Sequence, residues 1–197
     1  IRDHCVTRVQ TCALPISNVG TNAASYSFTA GSGDNGATIT VVVSGTCSPS
    51  VTSAAAITTV NELPAITAQP VATTVCNGQT ASFSVTATGT GLSYQWKKNG
   101  TNVGTNAASY SFTAGSGDNG ATITVVVSGT CSPAVTSAAA IATVNELPAI
   151  TAQPQATTVC NGQTASFSVT ATGTGLSYQW KKNGTNVGTN AASYSFT

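Results

Sequence analysis

Apolar and polar residues alternate along most of this chain. Ala81, Phe83, Val85 and Ala87 are separated by Ser82, Ser84 and Thr86, the period-two pattern of a half-buried strand. Leu92, Tyr94 and Trp96 alternate in the same way with Ser93, Gln95 and Lys97, and Ile123, Val125 and Val127 follow Thr122 and Thr124. Tyr110 and Phe112 mark a further strand, and a last one is expected from about Val135 to Val144. Turns punctuate these runs at Asn77-Gly78, Gly89-Thr90-Gly91, Asn99-Gly100 and Gly115–Gly120. Asn-Gly is the strongest two-residue hairpin signal, because both positions tolerate positive φ. Ala65-Ile66-Thr67 and Val71–Val75 flank Gln69-Pro70, where the proline interrupts an edge strand. At least seven short strands joined by closely spaced turns predict an all-β chain folded as β-sandwiches.

The pattern recurs with a period of 84 residues: Asn18-Val19-Gly20 returns at Asn102 and again at Asn186. Sliding residues 18–113 onto 102–197 leaves three differences, Ser50 against Ala134, Thr58 against Ala142 and Val71 against Gln155. A domain-sized unit copied in tandem predicts a string of modules. The expected organisation is a carboxy-terminal half-module at 18–62, a complete module at 63–146 and an amino-terminal half-module at 147–197. Each half leaves open sheet edges, so isolated chains are expected to associate head to tail, the end of one completing the start of the next.

Composition narrows the function. Only 6% of residues are charged, against 41% apolar. Thr, Ser, Ala, Val and Gly dominate, which favours strands over helices. Beyond residue 17 the charges are Lys97, Lys98, Lys181 and Lys182 against Asp34, Asp118, Glu62 and Glu146, and they cancel. No basic stripe is present to bind nucleic acid, and no apolar run is long enough for a membrane-spanning helix.

Residues 1–17 have no counterpart in the repeat. They hold His4, Arg2, Arg8, Cys5 and Cys12. The two cysteines fit no zinc spacing. The stretch Val6-Thr7-Arg8-Val9-Gln10-Thr11-Cys12-Ala13-Leu14-Pro15-Ile16 instead resembles a translated sequencing-adapter oligonucleotide, with Arg8 as the one departure. The segment is therefore set aside as a non-native leader, and the native start is expected to lie elsewhere.

The repeat itself resembles a bacterial immunoglobulin-like domain of the kind found as tandem arrays in secreted and surface proteins, notably in the Bacteroidetes. The residues that carry the resemblance are Val75-Cys76-Asn77-Gly78-Gln79, Phe83 and Val85, Tyr94-Gln95-Trp96 with Asn99-Gly100, Asp118 with Gly120, and Val125-Val126-Val127. The resemblance spans residues 18–197. It implies that Trp96 is the core tryptophan of strand C, and that Val85 and Val125 stand where antibody domains carry the inter-sheet disulfide. Ile123 then falls near the corner-tyrosine position. Trp96, Val85, Val125, Phe83, Tyr94 and Ile123 form the expected core. An extracellular or cell-surface location follows from the same resemblance.

Two cysteines per module remain, Cys47 and Cys131 at one repeat position, Cys76 and Cys160 at the other. In such a sandwich Cys76 falls at the turn into strand B and Cys131 at the hairpin between F and G, at opposite ends. Three readings stay open: a bridge within the module, a bridge between successive modules, and free thiols or metal ligands. No His outside the leader is available to complete a metal site.

Other chemistry is sparse. Asp118 with Asn119 and Gly120, like Asp34 with Asn35 and Gly36, has too few carboxylates for calcium and reads as a residue capping its own turn. Lys97-Lys98 and Lys181-Lys182 read as solvated strand ends. Tyr26, Tyr110 and Tyr194 suit the core better than a sugar-stacking face. No Ser or Cys has a His to activate it, and no cofactor motif is present. The expected function is a non-catalytic structural or adhesion repeat acting as a spacer or stalk, whose partners are its neighbouring repeats. The alternative is a binding module for glycan or a cell-surface protein, accessory to an enzyme in one version.

Overall fold

The structure is a computed structural model that describes residues 18–197. The leader, with His4, Cys5 and Cys12, lies outside the described residues. The chain divides into two compact units, the first ending at Val60 and the second running Asn61–Thr197. In the first, a 3-10 turn at Ser32–Asp34 precedes two short antiparallel ladders. There β1 (Thr38–Ile39) pairs with β4 (Ala56–Ile57), and β2 (Val42–Val43) pairs with β3 (Val51–Thr52).

Within the second unit, residues 65–145 close two layers around one core. The strands are β5 (Ala65–Ala68), β6 (Thr73–Cys76), β7 (Thr80–Ser84), β8 (Thr86–Thr88), β9 (Ser93–Lys98), β10 (Thr101–Val103), β11 (Ser109–Thr113), β12 (Ala121–Ser128), β13 (Val135–Thr136) and β14 (Ala140–Asn145). One layer has the order β10-β9-β12-β14-β6, with β13 on β12. The other is built from two ladders, β11 on β7 and β5 on β8. All pairings are antiparallel except β14 with β6, which is parallel. The alternation read from the sequence is the burial pattern of β12, where Ala121, Ile123, Val125 and Val127 are buried and the residues between them are not.

Three runs are broken, the first where its proline was expected to interrupt it and the other two against expectation, each for a local reason. Gln69-Pro70 interrupts the first, and Pro70 has no N–H to offer a ladder. The chain uses that break to change layers: β5 lies on β8, whereas β6 lies on β14. The 81–87 run splits at Val85, whose N–H donates to the carbonyl of Ala108 (3.0 Å) while β7 and β8 serve different neighbours. The expected last strand splits at Ser137. This buried serine accepts a hydrogen bond from the Val125 amide at its Oγ (3.0 Å) and donates its own amide to the Val125 carbonyl (2.9 Å). At Asn99-Gly100 the φ angles are 50° and 81°, as the hairpin reading requires.

Residues 147–197 repeat the first half of that arrangement. β15 (Ala149–Ala152) pairs with β17 (Thr170–Thr172), β16 (Ala165–Ser168) with β20 (Ser193–Phe196), and β18 (Trp180–Lys182) with β19 (Thr185–Val187). No strand corresponding to β12 or β14 lies on them among the described residues.

Candidate functional site: the tryptophan core and the module junction

Trp96 sits in β9 with none of its surface exposed. Its indole Nε1–H donates to the Ala107 carbonyl (2.9 Å), so burial leaves no unpaired donor. The Tyr110 ring stacks at 6.0 Å, and Tyr110 in turn stacks on Phe112 at 5.6 Å. Val125 is the cross-strand partner of Trp96 within one layer. Val85 and Phe83 come from the other layer, and both are buried. Ile123 is fully buried and Tyr94 is half-buried against the core. Trp96, Val85, Val125, Phe83 and Ile123 thus lie in one buried cluster, with Tyr94 packed against it. Val127, Ala114, Ala140, Ala142 and Val144 complete it. Val127 continues the alternation of β12 and Ala140, Ala142 and Val144 alternate along β14, whereas Ala114 lies in the loop after β11.

The Asp118 carboxylate accepts the Gly115 amide (3.0 Å), the turn cap expected of it. It also forms an ion pair with Lys98. Lys98 is therefore more than a solvated strand end: its ammonium lies 4.1 Å from the centre of the Phe112 ring as well. The bond from Lys98 and then that from Gly115 hold the Asp118 carboxyl below its ordinary value, outweighing the opposing effect of burial, and the lysine charge adds a lesser pull in the same direction. Among the described residues no group of three or more His, Cys, Asp or Glu side chains could hold a metal. No helix among them is long and apolar enough to cross a membrane.

Cys76 and Cys131 lie at opposite ends of the sandwich. Cys76 ends β6, opposite Asn145, beyond the Ala121 end of β12; Cys131 follows the Ser128 end. The eight residues of β12 stand between these ends, about 25 Å of strand at ~3.3 Å per residue. That excludes a bridge within the module, which needs Cα atoms within ~7 Å. Cys47, Cys76, Cys131 and Cys160 are all free thiols.

The junctions repeat one geometry. At the amino-terminal side of the central module, the Glu62 amide donates to Thr90 Oγ1 (2.9 Å) and the Thr90 amide to the Glu62 carbonyl (3.1 Å). At the carboxy-terminal side the Glu146 amide donates to Thr174 Oγ1 (2.9 Å) and the Thr174 amide returns to the Glu146 carbonyl (3.0 Å). Glu146 is held from the other side as well. Its carboxylate accepts Asn77 Nδ2 (3.0 Å), while the Asn77 amide donates to the Asn145 carbonyl (2.8 Å). Gly173 (φ 143°) lets the chain pass so close that a Cβ would lie 3.0 Å from Pro148 Cα. Sequence reading missed this clamp, because Thr90, Asn77 and Glu62 are unremarkable one at a time.

One cavity among the described residues is lined by Pro148, Ile150, Val169, Leu176, Tyr178 and Trp180. The same repeat positions in the central module are packed against β12 and its neighbours. The cavity is thus lined by the repeat counterparts of residues that are core in the central module.

No protein-family profile matches the chain, and no curated protein matches it. Solved structures do. The I-band fragment I67-I69 from titin superposes with a TM-score of 0.55 at 15% identity, over 68% of this chain and 54% of that one. Sidekick-1 immunoglobulin domains 1-5 superpose with a TM-score of 0.50 at 21% identity, over 73% of this chain and 34% of that one. The chain thus spans about half the length of the first and a third of the second. At such identities the likeness concerns fold alone, and the fold is the all-β, immunoglobulin-like sandwich in tandem.

Proposed function

We propose that this chain is a non-catalytic spacer, a run of immunoglobulin-like modules that holds other parts of a secreted or cell-surface protein apart. The observation that carries this reading is the clamp at Glu146. Its backbone is tied to the module that follows and its carboxylate to the module before. A spacer needs length and limited bending, and near-identical copies supply both without position-specific chemistry. A short linker with a proline at Pro148 and hydrogen bonds on either side limits bending more than a flexible tether would.

The test is NMR relaxation on the reduced, dilute chain. Amides of residues 65–145 and of residues 149–197 are expected to share one rotational correlation time. Asn77→Ala combined with Thr174→Ala is expected to uncouple them. Independent tumbling in the unaltered chain would remove the basis of the spacer reading. A glycan array addresses the binding alternative: reproducible binding abolished by loop substitutions would displace the spacer in its favour.

A further inference from the structure

We propose that the tip of the β9–β10 hairpin is an acceptor site for an N-linked oligosaccharide, attached to Asn99 and, one period later, to Asn183. The inference rests on the reading of the chain as exported, because such glycans belong to the surfaces of secreted proteins.

Attachment needs an asparagine followed two residues later by a serine or threonine, with no proline between them. Asn99-Gly100-Thr101 meets this condition, and Asn183-Gly184-Thr185 repeats it. The other Asn-Gly pairs of the central module fail it: Asn77-Gly78 is followed by Gln79, and Asn119-Gly120 by Ala121. No further asparagine between residues 18 and 197 has a hydroxyl residue two places on. So short a motif arises often by chance, and the fold has to supply the rest of the argument.

Asn99 and Thr101 are both exposed where β9 turns into β10. The Asn99 backbone amide donates to the Thr122 carbonyl (2.9 Å). Its side-chain Oδ1 accepts the Thr122 amide (2.9 Å) and the Thr122 hydroxyl (3.3 Å). A backbone N–H can only donate, so the side-chain atom facing it is the oxygen. Oδ1 therefore faces β12, and Nδ2, the atom that carries the glycan, is left without an acceptor among the described residues. Exchanging one Nδ2 hydrogen for a sugar leaves the bonds to Thr122 in place. Asn77 is the contrast, because its Nδ2 donates to the Glu146 carboxylate (3.0 Å) and a sugar there would disturb the clamp. The location also has a use. β10 is an outer strand of its layer, and a glycan rooted beside it stands over an open edge that so weakly charged a chain does little else to guard.

The co-substrate is an oligosaccharide carried on a lipid diphosphate and presented by a transferase. Asn99 Nδ2 attacks the anomeric carbon of the first sugar. A carbon–nitrogen bond forms as the carbon–oxygen bond to the diphosphate breaks. The lipid diphosphate leaves with the electron pair, and the Nδ2 proton passes to a base of the transferase. Transfer takes place on the extended chain, and the closed hairpin then carries the product.

The experiment expresses the full chain behind an added secretory leader in cultured animal cells, and reads secreted and retained protein alike. Supplying the leader makes the result independent of whether the natural protein is exported. The unaltered chain is compared with Thr101→Ala, Thr101→Ser, Thr185→Ala and Thr101→Ala/Thr185→Ala. Peptide-N-glycosidase is expected to remove two mass steps from the unaltered chain, matching its two motifs. Each single alanine variant is expected to lose one step and the double variant both, whereas Thr101→Ser keeps them. Mass spectrometry is expected to locate the resulting conversion to aspartate at Asn99 and Asn183. The glycosylated chain is expected to unfold at the same urea midpoint as chain made with glycan transfer blocked. An unshifted mass, a shift that survives in the double variant, or a lower midpoint for the glycosylated chain would overturn the proposal and leave the spacer reading as it stands.

Discussion

Trp96 and Trp180 share their local sequence, and each donates its indole N–H to a carbonyl at 2.9 Å, Ala107 and Ala191 respectively. Each stacks on a tyrosine, at 6.0 and 6.1 Å. What differs is the strand alongside: Val125 lies against Trp96, and nothing corresponding lies against Trp180 in the same unit. Replacing Trp96 by Ala should cost roughly 3–5 kcal/mol, as for other large core truncations. Removing about 200 Å² of buried ring at ~25 cal/mol per Å² gives about 5 kcal/mol, which agrees. Against a total of about 5–15 kcal/mol for a small domain this is severe, equivalent to a fall in Tm of about 12–40 °C. Trp180→Ala in dilute, reduced protein should cost less than half as much. Urea titrations followed by circular dichroism measure both, and the emission of the remaining indole in each variant reports which part has unfolded. Equal costs for the two substitutions would show that the facing strand contributes nothing, and the account of the core would fail.

Asp118 sets an acid limit. Its carboxyl titrates lower in the folded chain than in the unfolded one, so its contribution is present above the ordinary carboxylate range near pH 4. It is lost as the pH falls through the folded value. Asp118→Asn should lower stability at pH 7 by about 1 kcal/mol and flatten the decline below pH 4; an unchanged acid limb would refute this role. The copies themselves suggest a third substitution. Ala142 is fully buried, while the earlier copy carries Thr58 at that position. Ala142→Thr adds a methyl and a hydroxyl to a closed core and should destabilise by about 1–3 kcal/mol in urea unfolding, and a gain in stability would show that room exists there.

The sandwich and its centre were legible because period-two alternation and turn residues are local. Trp96, Val125 and Ile123 stand on the apolar side of alternating runs, and their place in the core came from the family resemblance. What escaped was set by contacts distant in sequence. The layer change after Pro70 is decided by which neighbour receives β6, and that neighbour, β14, lies about seventy residues away. The Lys98–Asp118 pair joins a hairpin to a 3-10 turn that no sequence window contains together. Cysteine pairing remained open in the sequence because it depends on where Asn61 and Asn145 sit relative to their neighbouring sulfurs.

The parallel pairing of β6 with β14 has a mechanical consequence. Tension drawn through successive modules pulls the chain before Thr73 one way and the chain after Asn145 the other. Both pulls run along the strand axis, so the rungs from Ala142–Thr73 to Asn145–Cys76 bear the load together instead of opening one at a time. Rupture should therefore need a higher force than peeling a hairpin such as β9–β10. Single-molecule stretching with Val75→Pro, which deletes a donor from that ladder, would reveal it as a drop in peak force.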